Sequence, residues 1–188
     1  MNVSKVYLPK NEYSRPGTLL KEVRGLALHW VGNPGTSAIF NRNYFELRKN
    51  GALGYGSAHF VVGLEGEVIQ CMPEEEMAYH VGAIQYTDFA RNRFGDYPNN
   101  CLLGIETCHL DWEGRYPVKT LTAACELCAN LCERYDLDPL ADITTHYAIT
   151  RKVCPKWFVS HPQDLEQFQR AVRGLMIVHD SEGADGAV

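Results

Sequence analysis

The chain has 188 residues, 45% hydrophobic and 22% charged, which suits one domain with an ample core and excludes a disordered polymer. A formal net charge of −5 argues against general attraction to nucleic acid. No apolar run reaches the ~18 residues of a membrane span, and Met1–Lys10 lacks the apolar core of a secretory signal.

The first segment, to about Arg24, reads as an extended arm with a turn at Arg15-Pro16-Gly17. Leu26 to Val31 is apolar on both parities, as in a strand covered on both faces, and His29 lies near its end. After the Asn33-Pro34-Gly35 turn, Thr36 or Ser37 caps a predicted helix to about Asn50, with Phe40, Tyr44 and Leu47 on one face and Gly51 as its stop. Gly56–Gly63 and Glu67–Met72 predict a hairpin, with His59 in its first strand. Pro73–Glu76 is an acidic connector to Met77-Ala78-Tyr79-His80-Val81-Gly82, and Gln85–Asn100 reads as a long loop.

Cys101–Cys108 is a second buried strand carrying Glu106, a carboxylate that so apolar a run must pair, hydrogen-bond or use. Thr120 or Thr122 caps a predicted helix to about Tyr135 whose inner face is Leu121, Ala124, Cys125, Cys128, Leu131, Cys132 and Tyr135. Seven cysteines is an odd number, so no disulfide framework is complete without an unpaired thiol. The spacing of Cys125, Cys128 and Cys132 suggests small buried hydrophobes in a reducing compartment. Ile143–Thr145 is a short strand, His146–Cys154 a loop, and Pro162 opens a last helix with Leu165, Phe168, Val172, Leu175 and Met176 inward. From Asp180 the chain reads as a frayed tail. Strands separated by helices, with one antiparallel hairpin, predict a single-domain α/β fold with a central mixed β-sheet flanked by helices.

The stretch from Thr145 to Phe158 places an imidazole (His146), an ammonium (Lys152) and a thiol (Cys154) on one short segment, and a nitrogen donor with a sulfur donor suits Zn²⁺. With His29 and Glu106 they make three candidate ligands and one buried acid. Taken in order, Leu28-His29-Trp30, Ala58-His59-Phe60-Val61-Val62, Ala78-Tyr79-His80-Val81-Gly82, Gly104-Ile105-Glu106 and His146 through Lys152-Val153-Cys154-Pro155 resemble the zinc-dependent N-acetylmuramoyl-L-alanine amidases of the amidase-2 and peptidoglycan-recognition superfamily, in their phage-endolysin pattern.

The resemblance implies a catalytic domain over residues 1–179, followed by a disordered tail over 180–188. It implies a Zn²⁺ cofactor on His29, His146 and Cys154, with Glu106 as general base and Lys152 stabilising the oxyanion. It implies substrate contacts from His80, His59, Trp30, Asn100 and Trp157, with His59 outside the ligand set. The substrate would be peptidoglycan or a muropeptide, cut between N-acetylmuramic acid and L-alanine by a monomer reaching the cell wall without a signal, as after holin-type release. Some phage amidases have a catalytic tyrosine just before the position of His59, where this chain has Ala58; that shifts weight to Glu106. The alternatives are a cytosolic muropeptide-recycling amidase, a non-catalytic peptidoglycan-binding module, and a structural zinc site closed by His59, His80 or His109.

Overall fold

The computed structural model describes residues 2–185. Six strands form one mixed sheet: β1 (Val3–Lys5), β2 (Gly25–Trp30), β3 (Phe60–Val62), β4 (Val68–Gln70), β5 (Leu102–Thr107) and β6 (Ile143–Thr145). Their order across the sheet is β1-β4-β3-β5-β2-β6. Only the β3–β4 hairpin is antiparallel; every other neighbouring pair is parallel. The predicted mixed sheet is therefore present. The edge strand β1 is an addition within the expected arm, too short to show a pattern in sequence.

Side-chain alternation sorts the strands onto two faces. Leu26 and Leu28 of β2, Phe60 and Val62 of β3, and Leu103 and Ile105 of β5 pack under α3 (Val118–Tyr135) and α7 (Pro162–Asp185). The intervening residues Ala27, His29, Gly104 and Glu106 face the other way, toward α1 (Ala38–Leu47) and α2 (Asp88–Phe94). One face is a continuous apolar core, and the other is interrupted by polar groups and by two positions with little or no side chain.

Local chemistry explains most element limits. The Ser37 hydroxyl accepts from Phe40 N and caps α1; a 3-10 turn over Arg48–Asn50 and Gly51, at φ +82°, stop it. Its buried residues are Ala38, Asn41, Arg42 and Phe45, while Phe40, Tyr44 and Leu47, expected on one face, share the outward side. The Arg42 guanidinium reaches the Val6 and Tyr7 carbonyls and so fixes the arm from the buried side.

Gln85–Asn100 is not a plain loop. Thr87 caps α2, Ala90 and Phe94 bury on one side, and Gly95 ends it. One helical turn too few hid that periodicity. The start of α3 lies earlier than expected, with Pro117 at its N-cap and no side-chain cap; the Thr120 hydroxyl instead donates to Gly63 O. Cys128 and Cys132 are fully buried and Cys125 partly so, all as free thiols in the core.

Three short helices were unforeseen: α4 (Pro139–Asp142), α5 (His146–Thr150) and α6 (Lys156–Ser160). On α7, Phe168 and Val172 are buried and Leu165, Leu175 and Met176 pack against the core, as predicted. Its helical backbone continues through Asp185, into the stretch read as a frayed tail; residues 186–188 lie outside the described residues.

Candidate active site

β5, β2 and β6 are adjacent and parallel, so their C-terminal ends share one edge of the sheet, where open α/β sheets place ligands. His29 is the penultimate residue of β2, in register with Glu106 of β5. Leu28 pairs with Thr145, and His146 follows directly as the first residue of α5. Thr145 caps that helix by accepting from Ala148 N, and Arg151, at φ +68°, turns the chain back. The Tyr147 N–H then donates to Cys154 O at 2.9 Å, which folds the His146–Cys154 segment onto itself. A five-residue helix and a main-chain clasp thus deliver Cys154 beside His29.

His29 Nδ1 lies 3.1 Å from His146 Nδ1 and 3.6 Å from Cys154 Sγ. The donor atoms of these three buried residues all fall within 4.8 Å of one another, and among the described residues no other such cluster occurs. Burial drives each donor toward its neutral form. His29 is held well below an ordinary histidine by burial, then by His146, His80 and Lys152. His146 is lowered to about 4 by burial and then Lys152. Burial, aided by Glu106, pushes the Cys154 thiol up to about 12 against the Trp30 main-chain N–H and Lys152. Two neutral imidazoles and a thiol that ionises only beside a strong cation fit a divalent metal with borderline-soft preferences.

The Glu106 side chain is half-buried beside this cluster, and its Oε2, shielded from solvent, has no hydrogen-bond partner. Burial raises its pKa to about 8, with Lys152 pulling downward. Lys152 is exposed at the cleft wall, where its charge reaches His29, Glu106, His146 and Cys154. These groups open into a cleft of about 900 Å³ that extends past Trp30 toward Tyr55, Tyr79 and Arg48.

The structure brings His29, His146, Cys154, Glu106, Lys152, His80 and Trp30 to this cleft. Trp30 stacks on His109. His59, Asn100 and Trp157 do not line it. His59 is fully buried, with Nδ1 accepting from Gly104 N and Nε2 donating to Glu76 O, so both ring nitrogens are committed to main chain. Trp157 stacks on His161 and donates to Asp164, on the α7 side. In place of Asn100, its neighbour Asn99 lines the cleft: Oδ1 accepts from His80 N and Val81 N, and Nδ2 is buried without a partner. Tyr79 reaches the cleft within the Ala78–Gly82 motif, whereas sequence reasoning missed Tyr55 and Arg48, for which no sequence signal was available. His109 turns its Nδ1 to Asp111 O and is not among the clustered donors. Neither is His80, which faces the opposite nitrogen of His29.

A mixed sheet with a two-histidine, one-cysteine cluster and a half-buried acid at its C-terminal edge makes this cleft the candidate active site. The family profile described as N-acetylmuramoyl-L-alanine amidase matches residues 19–157, and the chain belongs to this Amidase_2 family. It is 37% identical over 176 residues to the N-acetylmuramoyl-L-alanine amidase BlyA of Bacillus subtilis (strain 168), covering 90% of this chain and 46% of that protein. It is 32% identical over 183 residues to the amidase CwlL of Bacillus licheniformis, covering 94% and 48%. The chain spans about half the length of the curated relatives it matches. Among solved structures, PlyL has a TM-score of 0.72 at 21% identity, covering 92% of this chain and 97% of that one. A mutant endolysin from Bacillus subtilis has a TM-score of 0.70 at 23% identity, covering 91% and 98%. These structures share the fold.

Proposed function

We propose that the chain is a zinc amidase that hydrolyses the bond between the lactyl group of N-acetylmuramic acid and the L-alanine of the peptidoglycan stem, acting on the cell wall as an endolysin or autolysin. The observation that carries the reading is the unpartnered Glu106 carboxyl beside the His29–His146–Cys154 cluster, at the floor of an open cleft. When held by His29, His146 and Cys154, Zn²⁺ would supply Lewis-acid polarisation of the scissile carbonyl and of the attacking water.

The residues around that position divide the remaining work. Glu106, whose Oε2 makes no competing hydrogen bond, takes the proton of the attacking water and returns it to the leaving amine nitrogen. Burial alone would keep this carboxyl protonated near neutrality, whereas a nearby dication favours the carboxylate, so its basicity depends on a loaded site. Lys152 brings an ammonium to the cleft wall, where it stabilises charge developing on the carbonyl oxygen. Ala58 is buried and bears no hydroxyl, so no proton passes through that position.

Asn99 holds the cleft wall from behind, its Oδ1 accepting from the His80 and Val81 N–H groups. Trp30, flat against His109, offers a cleft-wall face for a sugar ring or peptide. One chain supplies every group named, so a monomer suffices. No helix among the described residues is long and apolar enough to cross a membrane.

Mass spectrometry of digested peptidoglycan tests the reading: new L-alanine amino termini with intact glycan strands are expected. Cleavage of glycosidic or inter-peptide bonds, or none with zinc present, overturns it. Comparing intact sacculi with soluble muropeptides separates wall lysis from recycling.

A further inference from the structure

His80 has a role that follows from the direction of its hydrogen bonds. Its Nε2 lies 3.1 Å from Leu102 O, and a carbonyl can only accept, so Nε2 bears the proton. A neutral imidazole then has a bare Nδ1, and neutrality is what burial of both His80 and His29 favours. That Nδ1 lies 3.0 Å from His29 Nε2. The donor in this second bond must therefore be His29 Nε2–H, which leaves the lone pair of His29 on Nδ1. Nδ1 is the atom that meets His146 Nδ1 at 3.1 Å and Cys154 Sγ at 3.6 Å. The relay runs from the Leu102 carbonyl through two imidazoles and ends at the candidate metal position.

We propose that His80 is a positioning residue: it selects the Nε2–H tautomer of His29 and aims His29 Nδ1 at the metal, touching neither metal nor substrate. A ligating histidine usually sends its second N–H to a carboxylate, a carbonyl or water; here a second histidine takes that place and is itself oriented by main chain. Its surroundings are shaped for it. Asn99 Oδ1 holds the His80 and Val81 N–H groups at 3.2 and 3.0 Å. Beneath the ring β5 has Gly104, where a Cβ would come 2.6 Å from His80 Cγ. Ring and strand can approach this closely only because that residue has no side chain.

The proposal rests on the metal reading above, and its test separates the two. Imidazole ¹⁵N spectra of the metal-free and zinc-loaded wild type report the His29 tautomer directly, and chelator competition measures zinc affinity. We expect an Nε2–H, Nδ1-bare His29 in the free protein and Nδ1 coordination when loaded. His80→Leu removes the acceptor; its zinc affinity should fall about 10–100-fold and its His29 should populate both tautomers. His80→Gln offers an oxygen to His29 and an N–H to Leu102 O, and should restore one tautomer and most of the affinity. A wild-type His29 protonated on Nδ1, or coordinating through Nε2, overturns the proposal even if the leucine variant fails to fold. Equal zinc affinity in wild type and His80→Leu overturns it alone, while a wild type that takes up no zinc overturns it together with the metal reading.

Discussion

His29 and Glu106 stand side by side in register on the neighbouring parallel strands β2 and β5, so one sheet face presents a candidate metal ligand and a candidate proton acceptor at the same level. Backbone pairing fixes this adjacency, and exchanging one side chain leaves the other in place. Glu106→Gln should keep zinc and fold while lowering amidase turnover by ~10²–10⁴-fold. Released L-alanine amino termini measure it, and a near-normal rate in a zinc-replete variant would end the assignment.

The same residue predicts a stability effect of known sign. Its folded carboxyl titrates near about 8 against an ordinary 4.5, so between those values the native state holds the extra proton. The associated stability is full below about pH 4.5 and is lost as pH rises through about 8. In metal-free protein, Glu106→Gln should therefore gain on the wild type as pH rises, by on the order of 4 kcal/mol between pH 5 and pH 9. Paired thermal melts from pH 5 to 9 check this; a gap that does not widen contradicts the burial argument.

Removing donors should empty the metal position. His29→Ala and Cys154→Ser should each lose most bound zinc by metal analysis, because three protein donors leave no redundancy. Lys152→Met should instead keep zinc and lose ~10²–10³-fold in turnover. Unchanged zinc content in both donor variants would refute the ligand set.

His59 should behave as structure. His59→Ala strands the Gly104 N–H and the Glu76 carbonyl in the interior, and should cost about 2–5 kcal/mol. Zinc stoichiometry should be unchanged in the folded fraction. A large rise in KM without loss of stability would return His59 to the substrate side.

The N-terminal arm predicts an acid-sensitive contact. Arg15 grips Glu76 with Nε and one terminal nitrogen at 2.7 and 2.9 Å, and gives its other terminal nitrogen to Leu8 O. Its guanidinium holds the Glu76 carboxyl below the usual carboxylate range. That stability is present above about pH 4.5 and lost as pH falls through the lowered value. Arg15→Ala should cost about 1–3 kcal/mol at pH 7 and less near pH 3, as denaturant titrations at the two pH values would read.

What was legible in the sequence follows from how each signal is encoded. β2 and β5 announced themselves as apolar runs, and the candidate site residues stood out because histidine, cysteine and glutamate are chemically conspicuous in such company. The stripe of Phe40, Tyr44 and Leu47 located α1 but not its orientation: they share the outward face while Asn41 and Arg42 are buried. Side-chain type cannot reveal that Arg42 is drawn inward by the carbonyls of a distant arm. The placement of His59 depended on hydrogen-bond partners 17 and 45 residues away, that of Asn100 on single-residue phase in a short turn, and that of Trp157 on its contacts with His161 and Asp164. The short helices α4, α5 and α6 span too few residues for periodicity to register.

His29 meets its two partners across 117 and 125 positions of chain. During synthesis, well over a hundred residues must emerge between the first donor and the other two. A ribosome-bound or prematurely ended chain lacking Cys154 has an incomplete donor set, however well its early strands have paired. Closing so long a span waits on the pairing of β2 with β6, the kind of non-local contact that forms slowly. The donor set is thus complete only once the chain has been made past Cys154, and translation itself times when the cluster can first assemble.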